Sequence, residues 1–329
     1  MTTHLHWGIL STARIGLRRV IPALKDTDPA AVLAIASRDL ARAREVAAQL
    51  GIPRAYGSYE ALLADRDVNA VYNPLPNSLH HPWTVKAAQA GKHVLCEKPL
   101  GMNATEAAEI VEACQRAGVL LQEAFMYRFH PQIAETQRLV REGAVGDLRL
   151  VRSAFTFTVS SPENIRLNAA LGGGGLMDVG CYCINISRLL AGEPTRVWGT
   201  GREEAGVDVF LAGTLEFADH TMTQFDCGLR APMRQFCEVV GTEGHLTLTR
   251  PFLPGETPVR VLLRQGEREE HIEIPGVNHY RLMVNAFEDC VRTGAPPRYP
   301  ASDAVNNMRV IDALRRSART GESVALRAG

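Results

Sequence analysis

CEKPL, Cys96 to Leu100, ends an apolar run with a lysine whose next residue is a proline. Proline pushes the residue before it into extended geometry, so Lys98 leaves the run without starting a helix. An ammonium placed there donates to an oxygen or relays its proton, with Glu97 beside it. The plainer alternative is an exposed lysine at a strand end. A second stretch, GGGGLMDVGCYCINISRLL (Gly172 to Leu190), starts with four glycines that let backbone approach closely. It then turns apolar on nearly every side, as a buried helix does. Asp178, Tyr182 and Asn185 fall at i, i+4 and i+7, on one face. Burying an unpaired carboxylate costs several kcal/mol, so Asp178 requires a donor partner. Such a stripe is either a structural network or the wall of a wet cleft.

A third stretch, WGILSTARIG (Trp7 to Gly16), has the form of a strand running into a phosphate-binding turn. The usual turn reads G-x-G-x-x-G, for a tight bend, a close backbone approach to pyrophosphate and helix packing on the strand. Here Ser11 and Ala13 hold the first two positions and only Gly16 keeps the third. Phosphate is held by backbone N–H groups at a helix N-terminus, which Ala13 and Ile15 still supply. Ser11 and Thr12 add hydroxyls and Arg14 adds a charge. The turn by itself leaves open whether it binds a dinucleotide or is ordinary buried sequence.

The residue reading the adenosine ribose lies about twenty positions after the last glycine. Here that is Ser37, followed by Arg38. A hydroxyl and a guanidinium suit a 2′-phosphate and point to NADP(H). Asp39 blurs the preference, and an N-cap followed by a solvated arginine is the alternative. NPLPNSLH, Asn73 to His80, forms a stiff loop at another strand end. Asn73, Pro74, Leu75, Asn77 and His80 are its candidates for framing a nicotinamide. A plain helix entry capped by Asn77 or Ser78 is compatible with the same residues.

These groups must be carried by something. Over the first 125 residues, near-continuous apolar strands (HLHWGIL, AVLAIAS, RAYGS, NAVYN, HVLCE, VLLQEAF) alternate with helices, the mark of a parallel sheet covered on both faces. Ser58, a cap for the helix YEALLAD, and an N-x-x-E capping box at Asn103 to Glu106 punctuate them, and Pro22 is expected to kink the first helix. After a helix near Pro131 to Arg141 the pattern changes. LRLVRSAFTFTV, VWGTGRE, VDVFLAGTLEF, TMTQFDCGL, FCEVVG, HLTLT, VRVLLR and HIEIP follow with few helices between, which predicts a mostly antiparallel sheet. Helices near Tyr280 to Arg292 and Ser302 to Arg319 close the chain. The expectation is an α/β protein: a doubly wound Rossmann domain over residues 1–125, then an α/β domain with an open, mostly antiparallel sheet over 126–329.

Composition narrows the class. Among 329 residues, Lys plus Arg and Asp plus Glu number 36 each, so no global field favours nucleic acid or an anionic membrane. No apolar run approaches a membrane span, and no export leader is seen. Seven cysteines without a C-x-x-C pair read as reduced, mostly buried thiols of a cytoplasmic protein. The ten histidines lack ligand spacing, so no metal is predicted.

On these motifs the chain resembles the glucose–fructose oxidoreductase/inositol dehydrogenase (Gfo/Idh/MocA) family. The likeness is strongest to the branch of NADP-dependent pyranose and xylose dehydrogenases and dimeric dihydrodiol dehydrogenases. WGILSTARI, ASRDLARA, AYGSYEALL, PLPNSLH, CEKPL, MYRFHPQ, NIRLN, GGGLMDVGCY and NHYRLMV occur in the expected order across almost the whole chain. The Ser-Thr-Ala turn is usual in that branch, so the resemblance implies a cofactor site. It also implies that Lys98 is the catalytic lysine, Tyr182 the acid/base and Asp178 the carboxylate one turn earlier. Many relatives carry His at the Tyr182 position, and the departure implies aldose-type or dihydrodiol-type substrates. A homodimer or homotetramer is implied, made through the open sheet.

The expected chemistry moves hydride between nicotinamide and a carbon bearing hydroxyl or carbonyl, on a sugar or cyclic polyol. A phenol, ordinarily near pKa ~10, needs the Lys98 charge and the cationic ring to act as base at neutral pH. Arg128 and Arg166 are further candidates for substrate or cofactor contacts. Rival expectations are trans-dihydrodiol oxidation, keto-sugar reduction of the anhydrofructose type, and a non-catalytic NADP(H)-sensing regulator.

Overall fold

The structure is a computed structural model that describes residues 5–326. Six strands form one sheet: β1 (Trp7–Leu10), β2 (Val32–Ala36), β3 (Arg54–Tyr56), β4 (Ala70–Asn73), β5 (His93–Cys96) and β6 (Leu121–Glu123). Their order is β3-β2-β1-β4-β5-β6 and every pairing is parallel. Every residue of β1 and β4 is buried, so both faces of these strands are covered, which is why they are apolar without alternation. His4, the start of the HLHWGIL run, lies outside the described residues.

Helices α1 (Ile21–Thr27), α2 (Leu40–Leu50), α3 (Tyr59–Leu63), α4 (His80–Gln89) and α5 (Ala104–Arg116) connect the strands. Side chains cap three of them. Asp39 accepts from the Ala41 and Arg42 N–H groups, Ser58 from Ala61, and Asn103 from Glu106 at 2.9 Å. Glu106 completes the box one residue early, accepting from the N–H of Met102. Before α1, residues Gly16–Val20 form a π-helical stretch, with the Ile21 N–H reaching back to Gly16 O. Pro22 follows at once and has no N–H to give. A change of helical register therefore stands where the sequence predicts a kink.

A second sheet of nine strands contains β7 (Leu148–Thr158), β8 (Arg196–Glu204), β9 (Val207–Glu216), β10 (Met222–Gly228), β11 (Arg230–Gly241), β12 (His245–Leu248), β13 (Val259–Gln265), β14 (Arg268–Ile274) and β15 (Val324–Ala325). All neighbours are antiparallel except β7 and β10. β9 alternates buried and half-buried along its length, the mark of a sheet with unlike faces. Helices α6 (Pro131–Arg141), α7 (Cys181–Ala191), α8 (His279–Thr293) and α9 (Ser302–Thr320) complete the fold.

By contacts the chain forms two compact units: residues up to Met126 together with Tyr280–Val305, and Tyr127–His279 together with the residues from Asn306 on. A division at residue 125, with everything after it in one domain, thus departs from the contacts at Tyr280–Val305. The reason is the apolar face of α8. Met283, Val284 and Phe287 are buried, Phe287 lies 5.1 Å from the Trp7 ring, and Glu288 accepts from Trp7 Nε1 at 2.9 Å.

Burial also fixes a dependence on pH. It pushes His130 down to about 4 and lowers His93 as well. His130 Nδ1 meanwhile caps α6, accepting from the Gln132 N–H. A histidine harder to protonate folded than unfolded contributes stability above the unfolded value of about 6.5, lost as pH falls toward the folded one. For His130 this is on the order of 3 kcal/mol. The urea midpoint is therefore expected to fall between about pH 7 and about pH 5. In His130→Asn, which keeps a capping acceptor, the fall should be shallower. A wild-type midpoint that holds or rises on acidification contradicts the assignment.

Candidate functional site

In the first unit, the parallel register aligns the strand ends. Leu10 pairs with Ala36, Ile9 with Tyr72, and Asn73 with Cys96. The residues that follow these strands thus emerge at one carboxyl edge: Ser11, Ser37, Pro74 and Glu97. The chain runs outward from β1 to β2 and β3, then crosses to β4, β5 and β6 on the other side. In open α/β sheets such a reversal is where ligands bind, because the flanking connections splay apart. The candidate residues from four separated stretches are therefore gathered at the β1/β4 switch point and its neighbours.

Ser11 has φ 132, a conformation that favours glycine. It has thus taken over the backbone role of the missing first glycine, at a cost on the order of 1–3 kcal/mol. Its hydroxyl accepts from the Ala13 N–H at 3.1 Å, pre-forming the turn. A side chain at Gly16 would meet the Tyr72 ring at 3.4 Å and Pro74 at 3.7 Å, ordinary contact distances. The helix that follows carries no acid in its first turn, while Arg18 and Arg19 supply positive charge. Arg14 is exposed and Ser11, Thr12, Ala13 and Ile15 are half-buried. This environment fits a pyrophosphate. At the end of β2, Ser37 accepts from the Asp39 N–H and Asp39 is the N-cap of α2. That leaves Arg38 exposed, beside the Tyr59 hydroxyl, and the pair fits a 2′-phosphate.

The loop after β4 is built from inside. Asn73 is fully buried, donates to Thr84 Oγ1 at 3.1 Å and accepts from the Leu75 N–H. His80, also fully buried, reaches Pro99 O at 2.7 Å and Leu75 O at 2.8 Å. It sits between the loop after β4 and the loop after β5, and as a neutral ring it donates to one of the two carbonyls while its other nitrogen lies against the second. Burial pushes it down to about 4, aided by the Lys98 charge and opposed by the two carbonyls. Lys98 and Glu97 are half-buried at the edge. Glu97 accepts from the fully buried Tyr72 hydroxyl at 2.7 Å, while Glu123 accepts from the Leu100 N–H at 2.9 Å. Tyr280, far away in sequence, also faces the Glu97 charge. Tyr72 and Tyr280 were invisible as site residues, since an aromatic in a buried strand or helix reads as core.

In the second unit, Leu176–Gly180 is a π-helical stretch that leads into α7. Asp178 lies in it, and its carboxylate pairs with Arg166 Nε at 2.6 Å. Asp178 is half-buried, and this is its donor partner. Arg166, expected as a substrate or cofactor contact, thus has Asp178 as its partner. Tyr182 is 5% exposed, its ring packed against Tyr127 (5.7 Å), Phe155 (5.4 Å) and Phe252 (5.6 Å). Asn185 takes the network side of the alternative. It accepts from the Tyr127 hydroxyl and Arg128 Nε, both at 2.6 Å, and donates to Asn307. Arg128, 4% exposed, is thereby part of this network. Among the described residues no group of His, Cys, Asp and Glu could hold a metal ion.

The comparisons agree with this architecture. The family model described as "Oxidoreductase family, NAD-binding Rossmann fold" matches residues 5–125, and that of the GFO/IDH/MocA C-terminal domain matches residues 133–247. The chain is 43% identical over 324 residues to a D-xylose 1-dehydrogenase (NADP(+)) of Haloferax volcanii, covering 97% of this chain and 99% of that one. It is 36% identical over 272 residues to the trans-1,2-dihydrobenzene-1,2-diol dehydrogenase of Mus musculus, covering 81% and 79%. A 3-ketoreductase from Actinomadura kijaniata, solved in complex with NADP and TDP-benzene, superimposes with a TM-score of 0.91 at 32% identity, covering 95% and 97%. The chain belongs to the GFO/IDH/MocA oxidoreductase family.

Proposed function

We propose that the protein is an NADP(H)-dependent oxidoreductase of the CH–OH group of a sugar or related cyclic polyol. The similarity over nearly the whole chain to an NADP(+)-dependent D-xylose 1-dehydrogenase carries this reading. Bound NADP(H) would supply or take up the hydride at C4 of its nicotinamide. The N–H groups and hydroxyls of Ser11 to Ile15 would hold its phosphates, and Ser37 and Arg38 its 2′-phosphate. Lys98, Glu97 and the Asn73–His80 loop, at the ends of β4 and β5, would frame the reacting end. Tyr182 gives its proton to the carbonyl oxygen in reduction and takes it back in oxidation. Lys98 supplies the positive charge that favours the ionised phenol. Asp178, fixed by Arg166, orients polar groups one turn before Tyr182. Packing of the Tyr182 ring among three aromatic rings supports a fixed direction for its hydroxyl.

The test is a panel of aldoses, inositols and cyclic diols offered with NADP⁺, following formation of the reduced nicotinamide. Turnover of an aldose supports the reading. Exclusive turnover of a trans-dihydrodiol selects the alternative that the mouse relative favours, and tight NADPH binding without any turnover selects a sensor. Arg38→Asp is expected to move the NADP(H)-over-NAD(H) ratio of kcat/KM by at least about tenfold toward NAD(H), because a carboxylate repels the 2′-phosphate and accepts from a 2′-hydroxyl. A variant still selective for NADP(H) refutes the ribose assignment. Free thiols at all seven cysteines suit a cytoplasmic setting. Trp198 and Met222, exposed on the second sheet, suit a homodimer or homotetramer, which the solution mass tests.

A further inference from the structure

We infer that Asp208, on β9, is a positioning residue for the proposed reaction: its carboxylate sets the start of the helical segment that carries Asp178 and Tyr182. The inference rests on the assignment of Tyr182 as proton carrier. Asp208 Oδ2 accepts from the Leu176 N–H at 2.6 Å, at the first residue of that segment. The glycine run is shaped around it. A Cβ at Gly174 would come within 2.2 Å of Asp208 Oδ1, and one at Gly175 within 3.3 Å of Oδ2 and 3.1 Å of Gly228 Cα. Gly174 also has φ +126. At Gly174 and Gly175 the close approach is thus to Asp208, whereas at Gly173 it is to the backbone carbonyls of Arg166 and Asn168.

The same glycines couple Asp208 to the rest of the segment. The Asp178 N–H bonds to Gly174 O at 3.0 Å, and the Gly174 N–H to Arg166 O at 2.9 Å. Arg166 in turn pairs with Asp178. One carboxylate therefore anchors a loop and helix start in which Asp178 comes two residues, and Tyr182 six residues, after the anchored N–H. Charge at a helix N-terminus also favours an anion. Burial pushes Asp208 up to about 6, against the Leu176 N–H and the Arg315 charge of α9, while Glu203 on β8 adds to the push. Cys227 on β10 also faces it. The ionised form is thus present at neutral pH although the fold resists it, and it gives way on mild acidification.

Asp208→Asn, Asp208→Ala and Tyr182→Phe are assayed with NADPH and the best panel substrate between about pH 5 and about pH 9. Asp208→Ala is expected to lose about 10- to 100-fold in kcat, because a small displacement of a reacting group has that effect, with NADPH affinity unchanged. Asp208→Asn keeps an acceptor for the Leu176 N–H without the charge, so it recovers part of the loss. Wild-type kcat should decline toward the Asn level as pH falls through about 6, and Asp208→Asn should show no inflection there. Asp208→Asn with wild-type kcat and the wild-type inflection overturns the proposal, whether or not Asp208→Ala folds. So does equal impairment of Asn and Ala in step with their melting temperatures, which marks a purely structural cap. Wild-type turnover in Tyr182→Phe instead removes the parent assignment.

Discussion

Tyr182→Phe is expected to lower kcat by about 10²- to 10⁴-fold, the contribution of a positioned acid or base, while NADPH binds as tightly as to the wild type. The substitution removes one oxygen and leaves the ring among Tyr127, Phe155 and Phe252, so packing and fold are retained. Cofactor affinity should not change, because the proposed phosphate and ribose contacts belong to Ser11–Ile15, Ser37 and Arg38. Single-turnover measurements with NADPH preloaded separate the two effects. Loss of affinity with an intact single-turnover rate would falsify the acid/base role.

Lys98→Met is expected to lower kcat on the order of 10²- to 10³-fold, the scale for removing a charge aimed at a reacting group. Methionine keeps the length and the apolar stem, and Glu97 retains its bond from the Tyr72 hydroxyl, so the edge of the sheet should persist. The pH profile gives a second, independent readout. On the proposed mechanism the Lys98 charge makes the phenol easier to ionise, so its removal should shift the rise of the oxidative rate with pH to higher pH. Lys98→Arg keeps the charge and should shift the profile less. Unchanged turnover in both Tyr182→Phe and Lys98→Met removes the mechanism. A rate loss in Lys98→Met without a change in the profile makes Lys98 a substrate contact only.

Much of this was readable in one dimension. β1, β4 and β5 are apolar runs short enough to be strands and are bounded by turn residues, and Ser58 and Asn103 announce the starts of their helices because capping is local. The demand that Asp178 have a donor was also readable, since burying a bare carboxylate is prohibitive whatever surrounds it. That the donor is Arg166 was not. Neither was the seat of His80 between two carbonyls five and nineteen residues away.

By itself, then, the sequence determined the periodicity of the elements, the helix caps, the change from a parallel to an antiparallel pattern, and the chemical types available to a site. These follow from short-range sterics and from which faces must be apolar. Only the tertiary structure decided that Tyr280–Val305 returns to the first unit, that Tyr72 and Tyr280 face Glu97, and that Asp208 lies behind the glycines. Each of these depends on contacts between residues far apart in the chain. Side-chain type fixes what a group can bond, and packing alone fixes which partner it meets.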